Sequence, residues 1–417
     1  MLIVGAGQSG LQLALGLQAQ GREITLVTNR SAADIRGGRV LSTQAMFHTS
    51  LQIERDLGLN AWEEETPRIA GLGISVAAPE GLDPAIDFLG TLDGYAQSVD
   101  QRMKFAGWLE TFEERGGRVL VQHADLDTLD RLSAGHDLVI AATGRGDLGR
   151  LFPVDPSRSP YGEPQRALAV AYVHGGRLRD GDGGRPAIHC NLLPGAGELF
   201  AIPARTLSGP CDILFIEAVP GGPLDVFGDV RDPDRFLELM LEKVRQFAPW
   251  EYDRFKDAEL TDEQAFLSGR VTPAVRRAAA ELPSGVPVLG AADAVVSNDP
   301  ITGQGAGAAA RCGAHYLHAL VQRGDRPYDQ AFLQGVFDRY WTEHAQHVTK
   351  WSNGLLMPPP EHIVKLFAAA ERLEPVADRI ANAFDDPSDL EEFWYQPKDV
   401  DEYLGKVRAS LGISQAR

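Results

Sequence analysis

Two glycine-rich segments stand far apart in this chain of 417 residues: "GAGQSG" at 5–10 and "SNDPITGQGAGAAA" at 297–310. In the first, Gly5, Gly7 and Gly10 have GxGxxG spacing between an apolar run, "LIV", and a segment carrying Leu11, Ala14 and Leu15 at helical spacing. There the first glycine allows a tight turn, the second admits a pyrophosphate, and the third lets helix pack on strand. A helix opening at Gln8 and Ser9 would turn free N–H groups and a positive dipole toward phosphate. The pattern predicts a dinucleotide site, with an accidental glycine turn as the plain alternative.

The second segment belongs to "VPVLGAADAVVSNDPITGQGAGAAARCGAHYL", which reads as strand, acidic residue, turn at Pro300, glycine loop, and an Ala-rich helix from Gly305. FAD is long, and one helix N-terminus serves only its pyrophosphate. Asp293 is placed to accept from a ribityl hydroxyl, or else to cap the turn. Backbone N–H groups around Gly303, Gln304, Gly305 and Ala306 would meet the electron-rich edge of an isoalloxazine ring. One loop then serves the phosphates and the other the redox ring.

These loops need a scaffold of parallel strands. "EITLVT" forms the second strand, and its end carries Thr28, Asn29 and Arg30 where an acidic residue usually grips the ribose. Asn29 or Arg30 substitutes for it, or the change is harmless. "KFAGWLETFEERGGRVLVQ" reads as helix then strand, and "HDLVIAATGRG" as a buried strand reaching Gly144 at the cofactor turn. From about 160 to 282 short strand-like runs separated by Pro and Gly suggest an antiparallel sheet, and after 330 the pattern turns helical. The expected fold is α/β (α+β overall): a Rossmann-like FAD-binding domain (1–72, 97–160 and 283–330) with an inserted antiparallel-sheet substrate domain (73–96 and 161–282) and a helical C-terminal region (331–417).

Composition bounds the function. Apolar content of 44% and charged content of 24% suit a soluble globular chain. A net charge of −18 argues against a nucleic-acid partner. Cys190, Cys211 and Cys312 are isolated, with no ligand spacing to His, so neither a metal site nor a disulfide framework is expected. His189 beside Cys190 would point to the opposite face of a strand. No leader and no apolar run near the roughly 20 residues of a membrane span is seen, and a cytoplasmic location is expected. No catalytic triad or paired carboxylates emerge.

Taken together, "IVGAGQSGL", "GGRVLSTQA", "HDLVIAATG", "SPYGEPQRALAV", "GELFAIP", "GAADAVVSNDPITGQGA" and "KWSN" resemble the oxygenase components of styrene and indole monooxygenases, FAD-dependent and related to the aromatic hydroxylases. "PQRALAV" and "GELFAIP" are the most specific of these. The resemblance implies a two-component system, in which an NADH-dependent flavin reductase supplies reduced FAD (FADH2). With molecular oxygen this would form a C4a-hydroperoxyflavin that epoxidises a carbon–carbon double bond, so no side chain is expected to do the chemistry itself. It further implies that Ser42, Gln44, Met46, Ile69 and Ala96 follow the indole-preferring pattern, with Leu72 a departure, and that indole would be oxidised at C2=C3 toward indoxyl and indigo, with styrene and aryl sulfides secondary. Gln44 could meet the indole N–H, and Met46 and Ile69 could line an apolar slot; each alone could equally be core or, for Gln44, solvated. Arg39 and Arg102 match positions that touch the flavin ribityl or phosphates, the alternative being exposed charges. A styrene-preferring epoxidase, a flavin-dependent halogenase (though WxWxIP is absent) and a non-catalytic FAD-binding redox sensor are the alternatives; a homodimer is one arrangement the resemblance allows.

Overall fold

The computed structural model describes residues 1–79, 83–143 and 147–413. The opening apolar run becomes the strand Leu2–Val4, which pairs in parallel with Thr25–Thr28 on one side and Val139–Ala141 on the other. Arg118–Val121 and Pro287–Gly290 extend the parallel sheet, and Ala279–Glu281 closes its edge antiparallel, giving six strands. Strands this short and this apolar survive because both faces are covered. Leu2, Ile3, Leu26, Val139 and Ile140 are all fully buried.

Local sequence sets the helix starts. Asp100 caps Gln101–Glu114 by accepting from the Arg102 N–H, and Asp232 caps Pro233–Phe247, whose proline sits at the first helical position. The helices Gln8–Ala19 and Gly305–Arg323 differ: neither has a side-chain cap or an acidic residue in its first turn. They lie side by side. Gln12 donates to the Ala310 carbonyl at 2.8 Å, Gly313 abuts Gln12, and Gly16 abuts Leu317, so contacts advance together along both chains and the helices run parallel.

The second sheet has nine strands and is mostly antiparallel, built from Ala45–Met46, the hairpin Ile69–Ala77/Pro84–Ser98, four long strands between Ala167 and Ala218, and the short Glu259–Leu260 and Phe266–Arg270. One pairing departs from the antiparallel expectation: Ile69–Ala77 lies parallel to Ala187–Leu193. The side-chain alternation of the strands splits the residues between two cores. Leu199, Ala201, Leu214 and Ile216 pack under the helix Pro233–Phe247. Phe200, Ile202, Ile213 and Phe215 face the other way, toward the helices that follow residue 345.

From Gln330 onward the described elements are helical, including one π-helical turn, Trp341–Ala345. This region is strapped to the hairpin. The Thr91 N–H donates to Asp378 at 2.7 Å, Asn382 donates to the Thr91 carbonyl at 3.0 Å, and a Cβ on Gly90 would lie 2.2 Å from the Ala377 carbonyl oxygen. Among the described residues no helix is long and apolar enough to cross a membrane.

Candidate functional site

The glycines of the first loop have separate jobs. Gly5 has φ +115°, and a Cβ there would sit 2.5 Å from the Ala142 carbonyl oxygen; one on Gly10 would sit 2.0 Å from the Gly5 oxygen. Both positions are closed by backbone. A Cβ on Gly7 would meet nothing within 4 Å, and the same holds for Gly303 and Gly305 in the second loop. The middle glycine and the second loop therefore border open space beside two parallel, uncapped helix N-termini. That arrangement fits FAD: unpaired N–H groups for its anionic phosphates at one helix, and for its ring edge at the other. Gly303, at φ +62°, makes the turn between Pro300–Thr302 and the helix.

Around this cradle the expected contacts are sorted by burial. Gln8, Ser9 and Gln304 are buried, with their amides committed: Gln8 to Glu54 at 2.9 Å and Gln304 to the Phe384 carbonyl at 2.7 Å. Pro300 and Ala306 are partly exposed, and Asp293 is exposed on the 3-10 turn Ala292–Ala294. Asn29 is exposed and Arg30 partly so at the end of the second strand. Gly144 lies outside the described residues. Arg39 is exposed, with its guanidinium 5.1 Å above the Phe266 ring.

Arg102 departs from the exposed-charge alternative. It is buried rather than exposed, and it is spent on Asp100, Asp262 and Thr206 at 2.8–3.1 Å. Two carboxylates pair with it, and through Thr206 it ties the helix Gln101–Glu114 to the second sheet.

The residues expected at the substrate slot are buried as well, Ser42 partly so. Ile69, Leu72 and Ala96 are packed in the core shared by the sheet and the C-terminal helices. Met46 lies against Leu51 and Ala310, its sulfur 3.3 Å from the Lys104 ammonium, which also pairs with Glu54 at 2.7 Å. Gln44, buried at φ +38°, is hydrogen-bonded to Tyr172 and Ser98, and Ser42 oxygens accept from Tyr172 and from the Gln44 N–H. A Gln44→Leu variant is therefore expected to lose about 1–3 kcal/mol of stability, because the buried Tyr172 hydroxyl loses a partner. Urea unfolding checks this, and a shift of indole-to-styrene preference at unchanged stability would refute it.

A cavity of about 800 Å³ lies elsewhere, between the second sheet and the C-terminal helices. Ile74, Cys190 and Phe200 of the sheet line one side, Trp351, Phe367 and Trp394 of the C-terminal region the other, and Ile301 of the glycine-loop turn also lines it. Sequence reasoning did not assemble this lining, although "SPYGEPQRALAV", "GELFAIP" and "KWSN" each contribute residues to it. The cavity wall also holds Arg166 and Glu198, joined by two hydrogen bonds of 2.7 and 2.9 Å. These are the arginine of "PQRALAV" and the glutamate of "GELFAIP". All three cysteines are free and buried.

The fold is shared with solved flavin-dependent halogenases and monooxygenases. The chain superposes on flavin-dependent brominase Bmp2 with a TM-score of 0.62 at 14% identity, covering 97% of this chain and 92% of that one. For p-nitrophenol 4-monooxygenase PnpA of Pseudomonas putida DLL-E4 the TM-score is 0.62 at 13% identity, covering 93% and 97%. More particularly, the sequence is 29% identical to styrene monooxygenase StyA of Pseudomonas fluorescens over 98% of both chains. Residues 144–254 match the family model described as "Styrene monooxygenase A putative substrate binding domain".

Proposed function

We propose that this protein is the oxygenase of a two-component, FAD-dependent monooxygenase that epoxidises small aromatic alkenes, with indole as preferred substrate and styrene as secondary. One observation carries the reading: Ile301 lines the apolar cavity, and it lies in the same turn that leads into Gly303, which borders open space at the flavin cradle. A neutral aromatic ring gains burial there, and its double bond is brought toward the cofactor edge. The likeness to styrene monooxygenase supports both the alkene and a separate reductase as supplier of reduced flavin. The indole preference rests on the Ser42, Gln44, Met46, Ile69 and Ala96 pattern, which would act by shaping the core behind the cavity.

FAD, when bound reduced, supplies the oxygen-activating chemistry. The chain's own work is to bind and to exclude water. Gly7, the two helix N-termini and Gly303–Gly305 would hold the cofactor; the aromatic residues lining the cavity would orient the substrate and keep the space dry.

The test supplies anaerobically photoreduced FAD, then oxygenated buffer, with indole, with styrene, or with neither. Oxygenated product from both, faster from indole and leading to indigo, is expected. Flavin reoxidation at the free-flavin rate with no product would overturn the proposal. An Ile74→Phe variant, which fills the cavity, is expected to lower kcat/KM for the aromatic substrate roughly tenfold while FAD affinity holds. Equal losses in both would place the substrate elsewhere.

A further inference from the structure

The sheet face that lines the cavity changes character at one end. Glu198 and Glu217 are directly opposed on antiparallel strands, so their side chains share that face. Asp299, one residue before the Pro300–Thr302 turn, reaches the same place from the glycine loop, and its carboxyl is the charge acting most strongly on Glu217. Three carboxyl groups thus meet one guanidinium, that of Arg166, whose Nε and Nη2 donate to Glu198 and whose Nη1 donates to the Gln165 carbonyl.

Charge and hydrogen bonding do not close there if all three are ionised. Glu217 is 0% exposed and neither of its oxygens has a hydrogen-bond partner; Asp299 is 2% exposed, with Oδ2 likewise unmet. Its Oδ1 accepts from the Ile301 N–H at 3.3 Å and so holds the turn. Two facing buried carboxylates without donors are costly, and one proton between them would neutralise one charge and give both orphaned oxygens a partner.

We propose that Glu217 and Asp299 share one proton behind the Pro300–Thr302 turn and form the buried proton store at the seam between cavity and flavin cradle. The pair would lend that proton to an oxygen anion produced at the seam and recover one from solvent after turnover, so the anion's proton comes in the end from water and both carboxyls return to the starting state. The proton-lending role rests on the monooxygenase reading; the shared proton does not. Other ionisable groups facing the pair are Arg166 and Glu198 from the sheet, Tyr161 from the preceding loop and Cys190 from the neighbouring strand. Burial, foremost, pushes Glu217 well above the usual carboxylate range and raises Asp299 from 3.8 to about 6.

The sign follows from proton counting. A carboxyl whose folded-state pKa is raised binds its proton more tightly when folded, so its stabilising contribution is present below pH 4 and is lost as pH rises toward 6. Glu217→Gln is isosteric and removes the repulsion, so Asp299 ionises more easily. The thermal midpoint of the cofactor-free variant should gain on that of the parent protein as pH rises from 4 to 6. Infrared spectra of the same cofactor-free protein at pH 7 should show a protonated-carboxyl C=O band, sensitive to H/D exchange, that disappears in Glu217→Gln and shifts in Asp299→Asn, which keeps Glu217 buried and an acceptor for the Ile301 N–H. Parallel melting profiles, or no such band in folded parent protein, would overturn the shared proton. With reduced FAD and oxygen, both variants should divert turnover from product to hydrogen peroxide; unchanged coupling with the band lost or shifted would keep the shared proton and refute its use. A parent protein that shows the band and makes no product would fault the monooxygenase reading alone.

Discussion

Replacing Arg166 by Met is expected to destabilise the protein by about 3–5 kcal/mol, the usual cost of removing one partner from a buried ion pair. The guanidinium is the only cation among four groups that meet at the polar end of the sheet face, and its loss strands Glu198 beside Glu217 and Asp299. Glu198→Gln should cost much less. Arg166 then still faces two carboxyls, which its charge already steadies. Urea midpoints of the two single variants and of the Arg166→Met/Glu198→Met double variant measure this, and the double variant should recover part of the loss because no unpaired Glu198 charge remains. Equal costs for the two single changes would show that the pair acts alone, without the neighbouring acids.

The second large effect separates cofactor binding from folding within one loop. Gly7→Ala adds a methyl that meets no protein atom within 4 Å, so stability should stay within about 0.5 kcal/mol. That methyl would press on the cofactor phosphates instead. Crowding of this kind costs about 1–3 kcal/mol, or roughly ten- to a hundredfold in FAD affinity. Gly10→Ala places its methyl 2.0 Å from the Gly5 carbonyl oxygen, where only backbone movement can relieve it. It should lose stability and FAD binding together. Thermal melts paired with FAD titration decide the matter; a Gly7→Ala protein that melts early but binds FAD normally would mean that the open space is not the phosphate site.

The contrast between these glycines also shows where sequence is readable. A GxGxxG turn is a local object, with strand, turn and helix contiguous in the chain, so residues 2–19 could be placed from spacing alone. The same holds for the strand, turn and helix at 287–323. The site pocket is not local. Ile74, Phe200, Ile301 and Trp351 meet only through the folded sheet and the helices above it, and no periodicity in one segment announces contact with another. The burial of Arg102 was hidden for a related reason: nothing local indicates that Asp262, 160 residues away, pairs with it. "PQRALAV" and "GELFAIP" stood out as specific before any role was visible, and the role proves to be an ion pair formed across strands.

The strapping of the last helices onto the hairpin has a consequence for how the molecule is made. The sheet residues Ile74, Cys190 and Phe200 are in place once about half the chain has left the ribosome, whereas the other side of the cavity comes from residues 351–394. Until these emerge, the Phe200 and Phe215 face of the sheet has no cover, and a nascent chain in that state is sticky toward others of its kind. Synthesis therefore passes through an interval in which a chaperone competes with aggregation for this face. The strap residues Asp378 and Asn382 end that interval by closing the lid onto Thr91.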